Sequence, residues 1–204
     1  TYGEYRVGDI RYQDINGDGV IDSQDEVALG YTNMPEIVYG FGATAQWKNW
    51  DFNVFFQGVA HTSFFLAGAS LRSPFSSGSM ERSAVNEDIY GNVWMSTNTP
   101  EQNDRAIYPR LSLSNQAGSS NNNQTSDWWL RDGSFLRLKN FEIGYTLPKK
   151  LLGKNFIRSL RFYVAANNLL TFCNFKLWDP EKGSSDGSGY PLNRVVTLGF
   201  NINL

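Results

Sequence analysis

Oxygen-bearing side chains occupy the first, third, fifth, ninth and twelfth places of Asp14-Ile-Asn-Gly-Asp-Gly-Val-Ile-Asp-Ser-Gln-Asp25. This is the spacing of an EF-hand-type calcium loop. Asp14, Asn16 and Asp18 offer side-chain oxygens, Gly19 permits the sharp turn, Val20 offers its carbonyl, and Asp22 and Asp25 close the shell. Ile21 is expected to pin the loop to a nearby apolar surface. An all-oxygen donor set with no neighbouring His or Cys suits a hard cation and speaks against zinc or copper. The twelfth residue is Asp rather than the longer Glu of sensor loops. No amphipathic helix precedes Asp14, because Tyr5-Arg-Val-Gly-Asp-Ile-Arg-Tyr12 reads as extended chain. The expectation is a fixed structural Ca2+ clip, not a helix–loop–helix switch. The same residues also make an ordinary Asx- and Gly-rich turn that holds no ion.

Other candidate chemistry is sparse. His61 is the single histidine and Cys173 the single cysteine, so neither a Ser/His/Asp arrangement, a Cys-based zinc site nor an intrachain disulfide is supported. Asp132-Gly-Ser-Phe135 reads as a turn that starts a strand, not as a nucleophile motif. Asp179 and Glu181 flank Pro180 in the manner of a structural corner rather than of a glycosidase pair. The expectation is that the chain is not an enzyme. Trp94, Trp128 and Trp129 offer two readings, stacking on a sugar or partner and packing a loop onto itself.

The elements that hold these residues are β-strands. The 204 residues carry a net charge of −2, 41% hydrophobic residues, 15% aromatics and 19 glycines, which fits a folded, turn-rich β protein rather than a disordered tail. Lys149-Lys150 forms a basic pair and the remaining cations are scattered, so there is no footprint for nucleic acid. No apolar run is long enough for a transmembrane helix, a test that leaves a transmembrane β-barrel open. No signal peptide stands at Thr1, and the abrupt start is read as the C-terminal part of something larger.

Alternation marks five strands. Ile37 to Trp47 and Trp50 to Gly58 form a hairpin around Lys48-Asn49. Phe141 to Leu147 ends at Pro148, Ser159 to Asn168 follows, and Val196 to Leu204 closes the chain. Each has one apolar and one polar face. Between them lie a long Ser/Asn-rich segment from 60 to 133, with helical turns expected around Ala84 to Met95 and near low complexity from Ser119 to Thr125, a basic connection through Lys149, Lys150 and Lys154, and a loop from Phe172 to Leu192. Connections alternate short and long, the rhythm of an up-and-down barrel with periplasmic turns at one rim and external loops at the other. On this scheme residues 1–36 and 60–133 are extracellular, 37–59 is a hairpin, and 134–204 supplies the final three strands. Trp47, Trp50, Tyr145 and Leu147 are expected in an aromatic girdle near the inner interface.

Gly8-Asp-Ile-Arg-Tyr-Gln-Asp-Ile-Asn-Gly-Asp-Gly19, Phe55-Phe-Gln-Gly58, Pro109-Arg-Leu111, Asp132-Gly-Ser-Phe-Leu-Arg-Leu-Lys-Asn140, Gly144-Tyr-Thr-Leu-Pro148, Asn167-Asn-Leu-Leu-Thr171 and Asp179-Pro-Glu181 follow one another through nearly the whole chain. In this order and spacing they resemble the C-terminal end of the SusC/RagA family of TonB-dependent outer-membrane transporters of Bacteroidota. The resemblance implies an all-β, antiparallel transmembrane barrel of about 22 strands, closed by a plug. It further implies work with a SusD-like surface lipoprotein, driven through a TonB complex, to import glycans or peptides. The five strands would be its last part, facing outer-membrane lipid, and would be insoluble or misfolded alone. The alternative is a soluble extracellular β-sandwich, calcium-stabilised and carbohydrate-binding, whose five apolar faces bury against one another.

Overall fold

The computed structural model describes residues 2–66, 87, 89–111, 120–153, 156–182, 185, 187 and 189–204. Lys154, Asn155, Ser119 and the residues of the expected helical turns up to 86 lie outside these. Strands β1 (Ile37–Trp47), β2 (Trp50–Ala60), β5 (Phe135–Thr146), β6 (Ser159–Cys173) and β7 (Val195–Asn203) make one antiparallel sheet in the order β1-β2-β5-β6-β7. Short strands β3 (Ser63–Phe65) and β4 (Leu130–Asp132) form a separate pair. All five segments expected from alternation are strands. The sheet is an up-and-down meander, open at β1 and at β7.

Register explains the two faces. Trp47 pairs with Trp50, Trp50 with Tyr145, Tyr145 with Phe162 and Phe162 with Phe200, so one rung carries an aromatic from every strand. Trp50 and Tyr145 have ring centroids 4.7 Å apart, Phe162 and Phe200 6.5 Å, and the Lys48 ammonium sits 4.6 Å from the Trp47 ring. The next rung is Ala45, Phe52, Ile143, Val164 and Leu198, and the one beyond it Ala43, Val54, Phe141, Ala166 and Val196. Among the described residues no second layer covers these side chains: Trp47 is 67% exposed, Leu198 79% and Phe200 61%. The sandwich alternative fails here, since the five strands build one sheet and their apolar faces do not bury one another. Leu147, expected in the girdle, lies beyond the end of β5, and Phe162 and Phe200 complete the rung instead.

The hairpin turn is the expected Lys48-Asn49, with Lys48 at φ +56. Asn49 fixes it to β5 by donating to the Thr146 carbonyl at 2.7 Å and accepting the Thr146 amide at 2.8 Å. Pro148 follows the end of β5 and caps the short helix Lys149–Leu152. Strand β5 starts at Phe135, six residues before its clean alternation, because the pairing skips Lys139 at a bulge between Leu138 and Asn140. A bulge changes which parity faces which side. Leu136 and Leu138 therefore share the apolar face with Phe141, Ile143 and Tyr145.

The chain divides into two compact units, the sheet unit (residues 32–63, 132–183 and 189–204) and a loop unit (residues 1–31, 64–131 and 184–188). The loop unit has its own small core, in which Leu66, Ile89 and Trp129 are fully buried and Tyr108, Val93 and Ile10 nearly so. Its described part from 89 to 95 is turn and an isolated bridge, Val93 to Tyr108, not the expected helical turns. A helix forms instead at Pro100–Asp104, where Thr99 accepts the Gln102 amide and Gln102 returns the bond to the Thr99 amide. That reciprocal cap satisfies two backbone donors at the helix start.

Candidate functional site

The acidic loop is closed by its own side chains. Asp14 accepts the amides of Gly17 at 2.6 Å and Gly19 at 2.8 Å. Asn16 accepts from Asp18 N–H at 2.9 Å, and Asp18 from Val20 N–H at 2.7 Å. Asp25 reaches back across the loop, accepting from Ile15 and Asn16 through Oδ1 and from Asp22 through Oδ2, while Asp22 caps the turn Ser23–Asp25. Bonds from the Asp22 and Ile15 amides hold the Asp25 carboxyl below the usual carboxylate range. The chain before Asp14 is extended, and Gly17 and Gly19 take φ of +78 and +84. Among the described residues no three His, Cys, Asp or Glu side chains are gathered as a metal shell. The donor set is nevertheless all oxygen, and a carboxylate oxygen that accepts one N–H keeps a second lone pair.

Directly upstream, the extended segment is gripped by residues more than a hundred positions away. Fully buried Asn122 accepts the Ile10 amide at 2.9 Å and donates to Asp9 Oδ1 at 2.8 Å and to the Arg110 carbonyl at 3.2 Å. Asn121 donates to the Ile10 carbonyl at 2.8 Å, Tyr12 donates to the Asn121 carbonyl at 2.7 Å, and Arg110 pairs with Asp9 at 2.8 Å. Trp129 donates its indole N–H to the Asn122 carbonyl at 2.9 Å. The Trp94 ring lies where a Cβ on Gly8 would be, and Gly8 has φ +91. Thus Trp129 and Trp94 pack the loop unit onto itself, while Trp128 stays 36% exposed. The stretch from Ser119 to Thr125 reads as near low complexity, yet Asn121 and Asn122 are the hub of this unit. Nothing local in the sequence signals that, because Asp9, Ile10 and Tyr12, which they hold, are more than a hundred positions away.

On the polar face of the sheet, Arg161 bonds Asp51 through both Nε and Nη2 and Glu142 at 2.6 Å, lying across Gly144 where no side chain intervenes. Arg137 is 2% exposed and pairs with Asp179 at 2.5 Å and with Glu181 at 3.1 Å, while Lys139 meets Glu181 at 3.1 Å. Asp179 and Glu181 are therefore spent on holding the Asp-Pro-Glu corner to β5. Asp132 accepts the Ser134 amide at 2.8 Å, the Asx turn expected at the start of that strand. Cys173 is half-buried and unbridged, and His61 faces Glu36 at 3.3 Å.

No family model matches the chain. Over 96% of its length it is 31% identical to TonB-dependent receptor P26 of Formosa agariphila, and over 94% it is 25% identical to TonB-dependent receptor SusC of Bacteroides thetaiotaomicron. The chain spans 20% and 17% of those two proteins. The solved RagAB peptide importer in its open-open state superposes on 99% of the chain with a TM-score of 0.69 at 25% identity, and the chain covers 21% of that structure.

Proposed function

Since the chain belongs to the TonB-dependent receptors of the SusC/RagA type, β-barrels of the outer membrane, and spans about a fifth of its relatives' length, we propose that it forms the last strands and three external segments, residues 1–36, 60–133 and 172–192, of an active nutrient importer. The importer takes up glycans or peptides with a SusD-like surface lipoprotein, energised through a TonB complex that contacts other parts of the protein. The observation that carries this reading is the sheet itself. One face bears a full aromatic rung over two apolar rungs, each aliphatic but for one Phe, while the other bears Asp51, Glu142 and Arg161. An apolar band with an aromatic belt faces lipid, and a charged face lines a watery lumen. The two open edges take further strands of the barrel.

The acidic loop belongs to the same reading as a Ca2+ clip that stiffens an external loop. Asp14, Asn16, Asp18, the Val20 carbonyl, Asp22 and Asp25 would hold the ion, which supplies charge neutralisation and no chemistry. No catalytic role is assigned to any residue. The test is made on the full-length receptor expressed with its native leader. Recovery in the outer membrane, co-purification with a lipoprotein and uptake that stops when TonB is deleted are expected, and a soluble protein without a lipoprotein partner sinks the reading. For the clip, Asp14→Ala with Asp18→Ala is expected to lower bound calcium and expose the loop to protease.

A further inference from the structure

At the end of the sheet where the shorter connections lie, the periplasmic rim of a barrel, the charged side chains are all cationic. Lys48, Lys149, Lys150 and Arg158 are exposed there, and no Asp or Glu occurs in 47–50, 144–160 or 201–204. We propose that this rim binds anionic phospholipid headgroups, an inference that rests on the lipid-facing reading of the sheet. The acids of the same unit are engaged elsewhere. Asp51 and Glu142 bond Arg161, Asp179 and Glu181 hold Arg137, Asp132 accepts the Ser134 amide, and Glu36 meets His61. Among the described residues the side chains of Lys149, Lys150 and Arg158 have no hydrogen bond or ion pair, so their charge is open to a ligand.

The cations stand where a headgroup layer would meet the lipid face. Arg158 lies one position before β6, in the alternating column of Leu160 and Phe162, and its amide donates to the Asn203 carbonyl at 2.7 Å. The Leu147 amide donates to the Leu160 carbonyl at 2.8 Å and Leu160 pairs with Ile202, so an apolar rung separates Arg158 from the aromatic rung. On the hairpin, the Lys48 ammonium rests 4.6 Å from the Trp47 ring, a cation at the level of the aromatic belt. Asn49, bonded both ways to Thr146, brings that turn against the connection that bears Lys149 and Lys150. One strand separates β2 from β6, a spacing of about 10 Å and close to one Debye length, so these charges act on the same headgroups. Leu151 is 71% exposed and Phe156 79%, which makes the connection cationic and apolar together, as interfacial segments are. An acidic periplasmic protein would match the charge but not the continuation of the lipid-facing columns.

The test uses the full-length receptor with its native cysteines replaced by Ser and a bimane label on Leu160→Cys. It is reconstituted in phosphatidylcholine vesicles that contain brominated phosphatidylglycerol or, in parallel, brominated phosphatidylcholine. Each cation that a headgroup meets is expected to favour the anionic lipid about fivefold, so phosphatidylglycerol should quench the label at a correspondingly lower mole fraction. High salt should shrink that difference. Lys48→Asn, Lys149→Gln, Lys150→Gln and Arg158→Gln combined should lower the preference about fivefold or more, with quenching by phosphatidylcholine and outer-membrane yield unchanged. Equal quenching by the two lipids with the rim intact, or an undiminished preference in the combined variant, overturns the site and leaves the lipid-facing reading in place. A bimane shift on adding soluble poly-glutamate, with equal quenching by the two lipids, overturns it in favour of an acidic protein partner. Absence of quenching by either lipid puts position 160 away from acyl chains and overturns both readings.

Discussion

Truncating Asn122 should open the loop unit without disturbing the strands. The side chain is fully buried, and Asn122→Ala deletes its bonds to Ile10 N–H, Asp9 Oδ1 and the Arg110 carbonyl. Ile10 is 6% exposed and the Asp9 side chain 0%, so the first two groups lose their partner in a dry setting. A buried group left unpaired costs about 1–3 kcal/mol, and a water admitted to the vacated space returns part of it. Asp9 keeps bonds from the Arg6 amide and Arg110, which limits its share. The net loss is about 3 kcal/mol, or roughly a hundredfold in the opening equilibrium. Hydrogen exchange on the full-length receptor reads this at the Ile10 amide, where protection should fall by that factor while β5 and β6 amides hold. Asn122→Asp keeps the volume but turns a donor into an oxygen facing Asp9, so it should open the unit at least as far. Ile10 protection within about threefold of wild type in both variants would refute the hub.

Gly8→Ala puts a Cβ into the Trp94 ring at a φ of +91, so a loss of about 2 kcal/mol and faster exchange of the Arg110 amide, which donates to Gly8, are expected. Asp179→Ala leaves the buried Arg137 cation with Glu181 alone and should cost about 3 kcal/mol, read as new protease cleavage between Phe175 and Lys182. Asp25 has its carboxyl lowered by the amides of Asp22 and Ile15, so its contribution is present above the unfolded carboxylate range and lost as pH falls through the lowered value. Protease nicking within Asp14–Asp25 should stay flat from pH 7 to 5 and rise only below about pH 4; in Asp25→Asn it should be high throughout.

Alternation made the sheet legible because each strand's two faces meet different media, and a period of two survives wherever one face is apolar. The hairpin at Lys48-Asn49 was readable for the same reason, with Trp47 and Trp50 as its flanking pair. In the first half of β5 only the starting turn at Asp132 was readable, not the alternation. The bulge at Lys139 breaks the parity of Leu136 and Leu138 against Phe141, so clean alternation begins six residues after the strand does. The Asp-Pro-Glu corner and the Asx turn at Asp132 were visible as local turn chemistry, but the partner of the corner, Arg137, was not, because an ion pair 42 residues apart has no period. Asn121 and Asn122 hid for a related reason. Asparagine in a polar run is ordinary in a loop, and only the fold brings Asp9 and Ile10 against it.

If alternate residues of these strands face lipid and lumen, substituted-cysteine accessibility in outer membranes separates the two sets. In a full-length receptor carrying Cys173→Ser, cysteines placed one at a time at Val196, Leu198 and Phe200 should resist a membrane-impermeant maleimide. Those at Thr197 and Asn201, on the opposite face, should react with it once the outer membrane is permeabilised. Uniform labelling along β7, or protection of the two polar positions in place of the three apolar ones, would rule out a lipid face and a lumen face on this strand.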